Sequence, residues 1–68
     1  MNDEEILEEA KKIVMIEKKV SASLLQRKLQ IGYFRAANVL DLLEEQGIIG
    51  KHNGAKPREV FIKDVANN

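Results

Sequence analysis

The 68-residue chain contains no cysteine and no tryptophan, and it has only one histidine and one proline. Without cysteine it can form neither a disulfide framework nor a cysteine-ligated zinc finger. No apolar run approaches the roughly 20 residues that a membrane-spanning helix needs. The amino-terminal stretch MNDEEILEEA is acidic, whereas a secretory signal begins with a basic segment. The length predicts one domain over residues 1–68. The absence of cysteine fits a reducing compartment such as the cytoplasm, and the lack of a long apolar run predicts no membrane contact.

The sequence also lacks the groups from which a catalytic or metal site is assembled. His52 has no second ligand type nearby, so it is predicted to be a solvated loop residue rather than a metal ligand. No nucleophile, base and orienting group can be combined, and no phosphate-binding G-x-x-x-x-G-K-[ST] loop occurs. We therefore expect neither enzymatic activity nor a cofactor.

Basic and acidic residues are equal in number but are segregated along the chain. Residues 1–17 carry a net charge of −4, residues 18–35 carry +5, residues 36–50 carry −3 and residues 51–68 carry +2. A net charge of zero argues against nucleic-acid binding. A block of five bases without an acid argues for contact with phosphates. The distribution therefore favours phosphate contact by residues 18–35 and by the carboxyl-terminal part of the chain.

Apolar spacing predicts helix one over about residues 3–18 and helix two over about residues 22–29. Asp3 is predicted as the N-cap or as a first-turn acid of helix one, and Ser21 as the N-cap of helix two. Val20 is predicted as a single strand residue that pairs with a later hairpin. The inner faces are predicted to contain Ile6, Leu7, Ala10, Ile13 and Val14 in helix one, and Leu24, Leu25 and Leu29 in helix two.

Helix three is predicted over about residues 33–46, after a tight turn for which Gly32 supplies backbone freedom. Gly47 is predicted to end it as the residue after the C-cap. On a helical wheel, the predicted core side contains Tyr33, Ala36, Ala37, Leu40, Leu43 and the stem of Glu44. The predicted outer side contains Phe34, Asn38, Asp41 and Glu45, with Arg35 and Leu42 beside them.

The remaining residues predict a two-stranded β-hairpin over about residues 48–63, with strands at 48–51 and 58–63. Asn53-Gly54 is a strong hairpin-turn signal. Val60 and Ile62 are predicted to point inward and Phe61 outward, and residues 64–68 to form a frayed tail. The fold class is therefore mainly α (α+β): a winged helix-turn-helix, with three helices followed by a hairpin wing. The second helix of such a motif can lie in the DNA major groove.

Four stretches of the sequence carry a resemblance to a known family. SLLQRKLQIGY, then RAA, LDLLEEQGIIG and GAKPREV resemble the gamma domain of the FtsK/SpoIIIE DNA translocases, over about residues 20–60. The resemblance implies a winged helix at the carboxyl terminus of a hexameric motor, which reads short chromosomal guide sequences and so loads and orients the motor. It also implies the bacterial nucleoid, or the septum for a membrane-anchored motor. With no motor segment, the chain is either an excised domain or a free-standing relative.

The resemblance implies DNA contacts from the start of helix three and from the wing, including Arg35, Asp41, Lys56 and Arg58. Phe34 and Asn38 stand where the family commonly has asparagine and arginine, and our hypothesis is that they shift the preferred site. Lys56 and Arg58 are expected outside the core. The predicted DNA-binding residues are Arg27, Lys28, Phe34, Arg35, Asn38, Asp41, Lys56 and Arg58.

Two functions remain open from the sequence. The first is a sequence-directed module for double-stranded DNA, with the motor domains of a translocase as further partners. The second is a protein-interaction winged helix that docks on a partner such as a Xer-type recombinase, favoured by zero net charge and by the apolar Phe34 and Leu42. Phe34 could contact a thymine methyl group, dock on a protein or fold back near Phe61. Asp41 could accept from cytosine or remain an ordinary exposed acid.

Overall fold

A computed structural model describes residues 2–52, 54 and 56–61 of the chain. The architecture is mainly helical, with α1 (Asp3–Glu17), α2 (Ala22–Leu29) and α3 (Tyr33–Glu45). Each helix contacts the other two. The three predicted helices are confirmed, and their bounds agree with the prediction to within one residue at each end.

The ends of α1 are formed by local hydrogen bonds. Asn2 Oδ1 accepts a hydrogen bond from the Glu5 N–H at 2.8 Å, and Glu5 Oε1 accepts one from the Asn2 N–H at 3.0 Å. This reciprocal pair is a capping box. Asn2 is therefore the N-cap, and Asp3 is the first-turn acid. The helix ends at Lys18, which takes a left-handed φ of 63° while its N–H donates to the Val14 carbonyl at 2.9 Å.

The turn between α2 and α3 differs from its prediction in one respect. Ser21 is the N-cap of α2 as predicted, with Oγ accepting from the Leu24 N–H at 3.2 Å. The left-handed residue of the turn is Gln30, with φ 54°. Gly32 instead precedes α3 with φ −74°, which any residue adopts. The prediction that Gly32 supplies special backbone freedom is therefore wrong, because α2 is ended by Gln30 two residues earlier.

The end of α3 is the predicted glycine stop. Gly47 has φ +74°, and its N–H donates to the Glu44 carbonyl at 2.9 Å. The N–H of Ile48 reaches back to the Leu43 carbonyl at 3.0 Å. These two bonds form a Schellman motif, which satisfies carbonyl groups that the helix leaves without partners. The motif turns the chain so that Ile48 and Ile49 run back along the core.

A single apolar core lies among the three helices and the residues that follow α3. The predicted inner faces of α1 and α2 are confirmed, although Leu24 is only half-buried and lies outside the core cluster. The buried members of the core are Ile6, Ala10, Val14, Val20, Leu25, Ala36, Val39, Leu40, Leu43 and Ile49. Leu7, Ile13, Leu29 and Val60 pack against them at its edge.

The buried stripe of α3 is rotated from the predicted one by about 55° on the helical wheel. Val39 is buried although it was not predicted to be, whereas Tyr33 is 60% exposed although it was assigned to the core. The reason is that α3 contacts both α1 and α2. Its buried stripe is therefore centred between two neighbouring helices, and this places Tyr33 and Ala37 towards its margin.

Two isolated antiparallel bridges join residues 58 and 60, which follow α3, to earlier parts of the chain. Val20 pairs with Arg58, whose N–H donates to the Val20 carbonyl at 2.8 Å, so the prediction for Val20 is confirmed. Ile49 pairs with Val60, which is half-buried and points inward as predicted. Within the described residues these are single bridges rather than two continuous strands. The hairpin wing therefore stays a prediction.

Phe61 is exposed as predicted, and its ring lies over Gly50. A Cβ atom added to Gly50 would be 3.1 Å from Phe61 Cζ, so the ring uses the space that glycine leaves. Several predictions lie outside the described residues. These are the Asn53 half of the Asn-Gly turn, the inward Ile62, residues 62–63 of the second strand and the tail at residues 64–68.

Candidate functional site

The outer face of α3 consists of Phe34, Asn38, Asp41 and Glu45, and all four residues are exposed. They share one side of the helix because residues three or four positions apart project in similar directions. The prediction of this face is confirmed. It combines an aromatic ring, an amide and two carboxylates, and none of its four side chains is basic.

Phe34 is 86% exposed, the largest fraction among the exposed large apolar side chains of the part that the structure describes. Its ring meets the ring of Tyr33 edge to face, with centroids 6.1 Å apart and planes inclined by 69°. The ring of Phe61 lies over Gly50 instead. Phe34 therefore does not fold back on Phe61, which excludes one of the three readings that the sequence left open.

Arg35 lies on the flank of α3 that faces α1. Its Nη2 donates to Asp3 Oδ1 at 3.0 Å. Both side chains are more than half exposed, so we expect this ion pair to stabilise the fold by less than about 1 kcal/mol. Arg35 and Asn38 also border a small cavity of about 50 Å³ beside Ile6. A phosphate or base approaching Arg35 would therefore compete with the Asp3 carboxylate.

A groove of about 410 Å³ lies on the other flank of α3, between that helix, the start of α2 and the later residues His52, Gly54, Lys56 and Arg58. Its polar lining includes Ser21, Ser23, Tyr33, Asp41, His52 and Lys56. Lys56 is exposed, as the sequence predicted. Asp41 belongs both to the outer face and to this groove. The outer face of α3 and the groove therefore form one continuous polar surface.

Arg58 is not outside the core, and that expectation is wrong. Its side chain is only 10% exposed, and Nη1 donates to Glu44 Oε1 at 2.8 Å. The same atom lies 3.5 Å from the Gly50 carbonyl oxygen, and Nε is buried without a hydrogen-bond partner among the described residues. Arg58 therefore links α3, from inside the fold, to residues 56–61, which we call the bridged segment. The sequence placed the stem of Glu44 inward but could not show which cation it meets.

The basic side chains of α2 differ in their surroundings. Lys28 Nζ lies 3.7 Å from Glu17 Oε2 at the end of α1. Arg27 is exposed on the outer side of α2, where it lines a shallow groove with Lys19 and Pro57. Five bases have no carboxylate within 4.0 Å in the described part of the chain, and they are Lys18, Lys19, Arg27, Lys51 and Lys56.

Residues 2–52, 54 and 56–61 contain no group of three or more metal-ligating side chains placed to hold an ion. His52 is exposed and lines the groove beside α3. No helix in the same residues is long and apolar enough to cross a membrane. The candidate site is the surface around α3, which offers charged and hydrogen-bonding side chains and one exposed aromatic pair.

Comparison with known proteins places this surface in a family context. Residues 1–63 match the family model described as the Ftsk gamma domain. A DNA translocase FtsK from Clostridium tetani is 58% identical over 59 residues, which is 87% of this chain. The FtsK of Borreliella burgdorferi is 51% identical over 61 residues, or 90% of this chain. The DNA translocase SpoIIIE of Bacillus subtilis is 42% identical over 59 residues, again 87% of the chain. The chain spans about 8% of the length of each of these relatives.

Proposed function

The chain belongs to the Ftsk gamma domain family, and from that premise and the geometry around α3 we propose that it binds double-stranded DNA. In this proposal α2, the turn and α3 act as a helix-turn-helix, and the bridged segment after α3 acts as the wing. The outer face of α3 enters the major groove, as the second helix of such a motif does. Reading of a short site would then orient a translocase motor, since the relatives are named as DNA translocases.

One observation carries the proposal: Lys19, Arg27 and Lys56, which have no carboxylate within 4.0 Å among the described residues, line two neighbouring grooves beside α2 and α3. Lys56 lines the groove on the flank of α3. Lys19 and Arg27 line the adjoining shallow groove with Pro57, the residue next to Lys56. Phosphates of a duplex could therefore be met by Lys56 on one side and by Arg27 and Lys19 beyond it.

The proposed DNA-binding residues divide by their surroundings. Arg27 and Lys56 are proposed to contact phosphates, whereas the exposed residues Phe34, Asn38 and Asp41 are proposed to face the bases. Lys28 and Arg35 can contact DNA only by leaving their carboxylate partners. Arg58 is proposed to act indirectly, by holding the segment that presents Lys56, because its guanidinium is engaged with Glu44.

The test is a fluorescence anisotropy titration of labelled duplexes at several salt concentrations. If four or five of the exposed cations meet phosphates, log affinity should fall with log salt at a slope of about −3.6 to −4.5. Lys56→Gln should weaken binding to every duplex by a similar factor, because phosphate contacts carry little sequence information. Lys12→Gln is the matched control, since Lys12 lies on α1 beside Glu9. Absence of binding at low salt by folded protein would refute the proposal.

A second candidate function, docking on a protein such as a Xer-type recombinase, is favoured by the exposure of the Phe34 ring. Aromatic residues, phenylalanine among them, are enriched in protein interfaces relative to the rest of the surface. The same titration separates the two functions. Protein docking is the better account if duplex binding is absent while Phe34→Ala weakens capture of the recombinase and Ile16→Ala, another exposed apolar truncation, does not.

A further inference from the structure

The exposed ring of Phe34 has a position that limits what it can contact. Phe34 lies in the first turn of α3, and α3 begins after Gly32, which makes no side-chain cap. Apart from Gly32 and its two chain neighbours, no described residue has a heavy atom within 4 Å of the place where a Cβ of Gly32 would be, so the helix start is unobstructed. In a helix-turn-helix the amino-terminal residues of the second helix contact base edges. Phe34 is therefore placed where a base edge would arrive first.

The chemistry of the ring narrows the target further. Phenylalanine offers no hydrogen-bond donor or acceptor, so it cannot read the polar atoms of the major groove. The apolar group that distinguishes one base there is the 5-methyl group of thymine. A cytosine methylated at the same carbon would offer the same group. Contact with a pyrimidine 5-methyl group is thus what the ring can recognise.

The commonest specific contact in the major groove joins arginine or lysine to guanine. The residues around Phe34 do not supply that contact. Arg35 is the only basic residue of α3. Its side chain projects towards α1, where Nη2 donates to Asp3 Oδ1 at 3.0 Å. The outer face itself presents Phe34, Asn38 and carboxylates. The groups that face a duplex from this helix are therefore an apolar ring, an amide and carboxylates, and none of them is the arginine or lysine that reads guanine.

Resting on the proposed function, we propose that Phe34 is a specificity-determining residue that selects a pyrimidine 5-methyl group, that of thymine in ordinary DNA. The edge of Tyr33 restrains the ring, since the two centroids are 6.1 Å apart at 69°. Asn38 follows one turn later, about 6 Å along the helix axis. An adenine read by Asn38 would thus lie within about two base-pair steps of the thymine.

The experiment begins with selection from a randomised duplex pool by the wild-type chain. Each thymine of the selected site is then replaced singly by deoxyuridine, which removes only the methyl group. At one position the wild type should lose affinity by about fourfold, the effect of one buried methyl group. Phe34→Ala should bind the thymine and deoxyuridine duplexes equally. Replacing that T·A pair by a 5-methylcytosine·G pair should keep more affinity than replacing it by C·G.

The controls separate this inference from the function on which it rests. Ile16→Ala removes an exposed apolar side chain of α1 and should keep the full response to deoxyuridine. Circular dichroism establishes that each variant is folded. A selected site whose thymines can all be replaced without loss, or a Phe34→Ala variant with an unchanged methyl response, overturns the inference and leaves DNA binding intact. Failure to bind any duplex overturns both.

Discussion

Replacing the two partners of the Arg58–Glu44 ion pair should have unequal effects on the free energy of unfolding, because the partners differ in burial. The Arg58 side chain is 10% exposed and that of Glu44 is 38% exposed. Glu44→Ala would leave a nearly buried guanidinium without its carboxylate. Arg58→Met would leave a carboxylate that water can reach, and would also remove the buried Nε that has no partner among the described residues.

The magnitudes follow from those surroundings. Breaking a fully buried pair by removing one partner costs about 3–5 kcal/mol. Partial exposure of Glu44 lets water replace some of the lost interaction, so we expect Glu44→Ala to lower the free energy of unfolding by about 2–3 kcal/mol. Arg58→Met keeps an apolar stem in the same space, and we expect a loss of about 0–1 kcal/mol. A domain of this size has about 3–10 kcal/mol in total, so the difference is measurable.

The assay is urea unfolding followed by circular dichroism, with the slope of the free energy against denaturant checked for constancy. Glu9→Ala is a matched control, because its partner Lys12 is exposed and the pair should contribute less than about 1 kcal/mol. The reasoning would be refuted if Arg58→Met were as destabilising as Glu44→Ala. In that case the guanidinium would hold the fold through contacts other than the Glu44 carboxylate.

Three further predictions concern the interface, a helix end and the core. Lys56→Ala should reduce the slope of log affinity against log salt by about one, whereas Lys12→Ala should leave that slope unchanged. An equal effect of both variants would mean that Lys56 does not contact a phosphate. Gln30→Gly should raise the free energy of unfolding by about 0.5–1 kcal/mol in urea titrations, because glycine adopts the left-handed conformation without the penalty that a side chain brings; a loss would contradict this. Val39→Ala should lower the free energy of unfolding by about 1–3 kcal/mol, because Val39 is buried. A neutral result would instead support the orientation of α3 predicted from the sequence.

The helices could be predicted from the sequence because their signals are local. Ser21 before α2 and Gly47 after α3 act on backbone groups within a few residues, so each end is set by its own neighbourhood. The outer face of α3 could be predicted for a similar reason. Phe34, Asn38 and Asp41 have a common direction on any regular helix, whatever the helix packs against.

The rotation of α3 and the role of Arg58 could not be predicted because both depend on distant contacts. Val39 is buried because α1 lies beside α3, and a wheel drawn for one helix contains no information on its neighbours. Arg58 meets Glu44 across 14 residues of sequence and pairs with Val20 across a still longer interval. From the sequence alone, a basic residue in a predicted wing is expected to contact phosphate. Only the burial of the Arg58 side chain shows that its guanidinium is engaged inside the fold.

The net charge of zero is compatible with a DNA-binding surface because of where the acids lie. Asp3 and Glu17 of α1 form ion pairs with Arg35 and Lys28, respectively. Glu44 forms an ion pair with Arg58. The lysines of α1 likewise meet acids of the same helix, as Lys11 does with Glu8. Three of the remaining described bases, Lys19, Arg27 and Lys56, line the grooves beside α2 and α3. Salt screens interactions between exposed charges beyond about 10 Å, so a duplex on that side would respond to those bases more strongly than to the total charge.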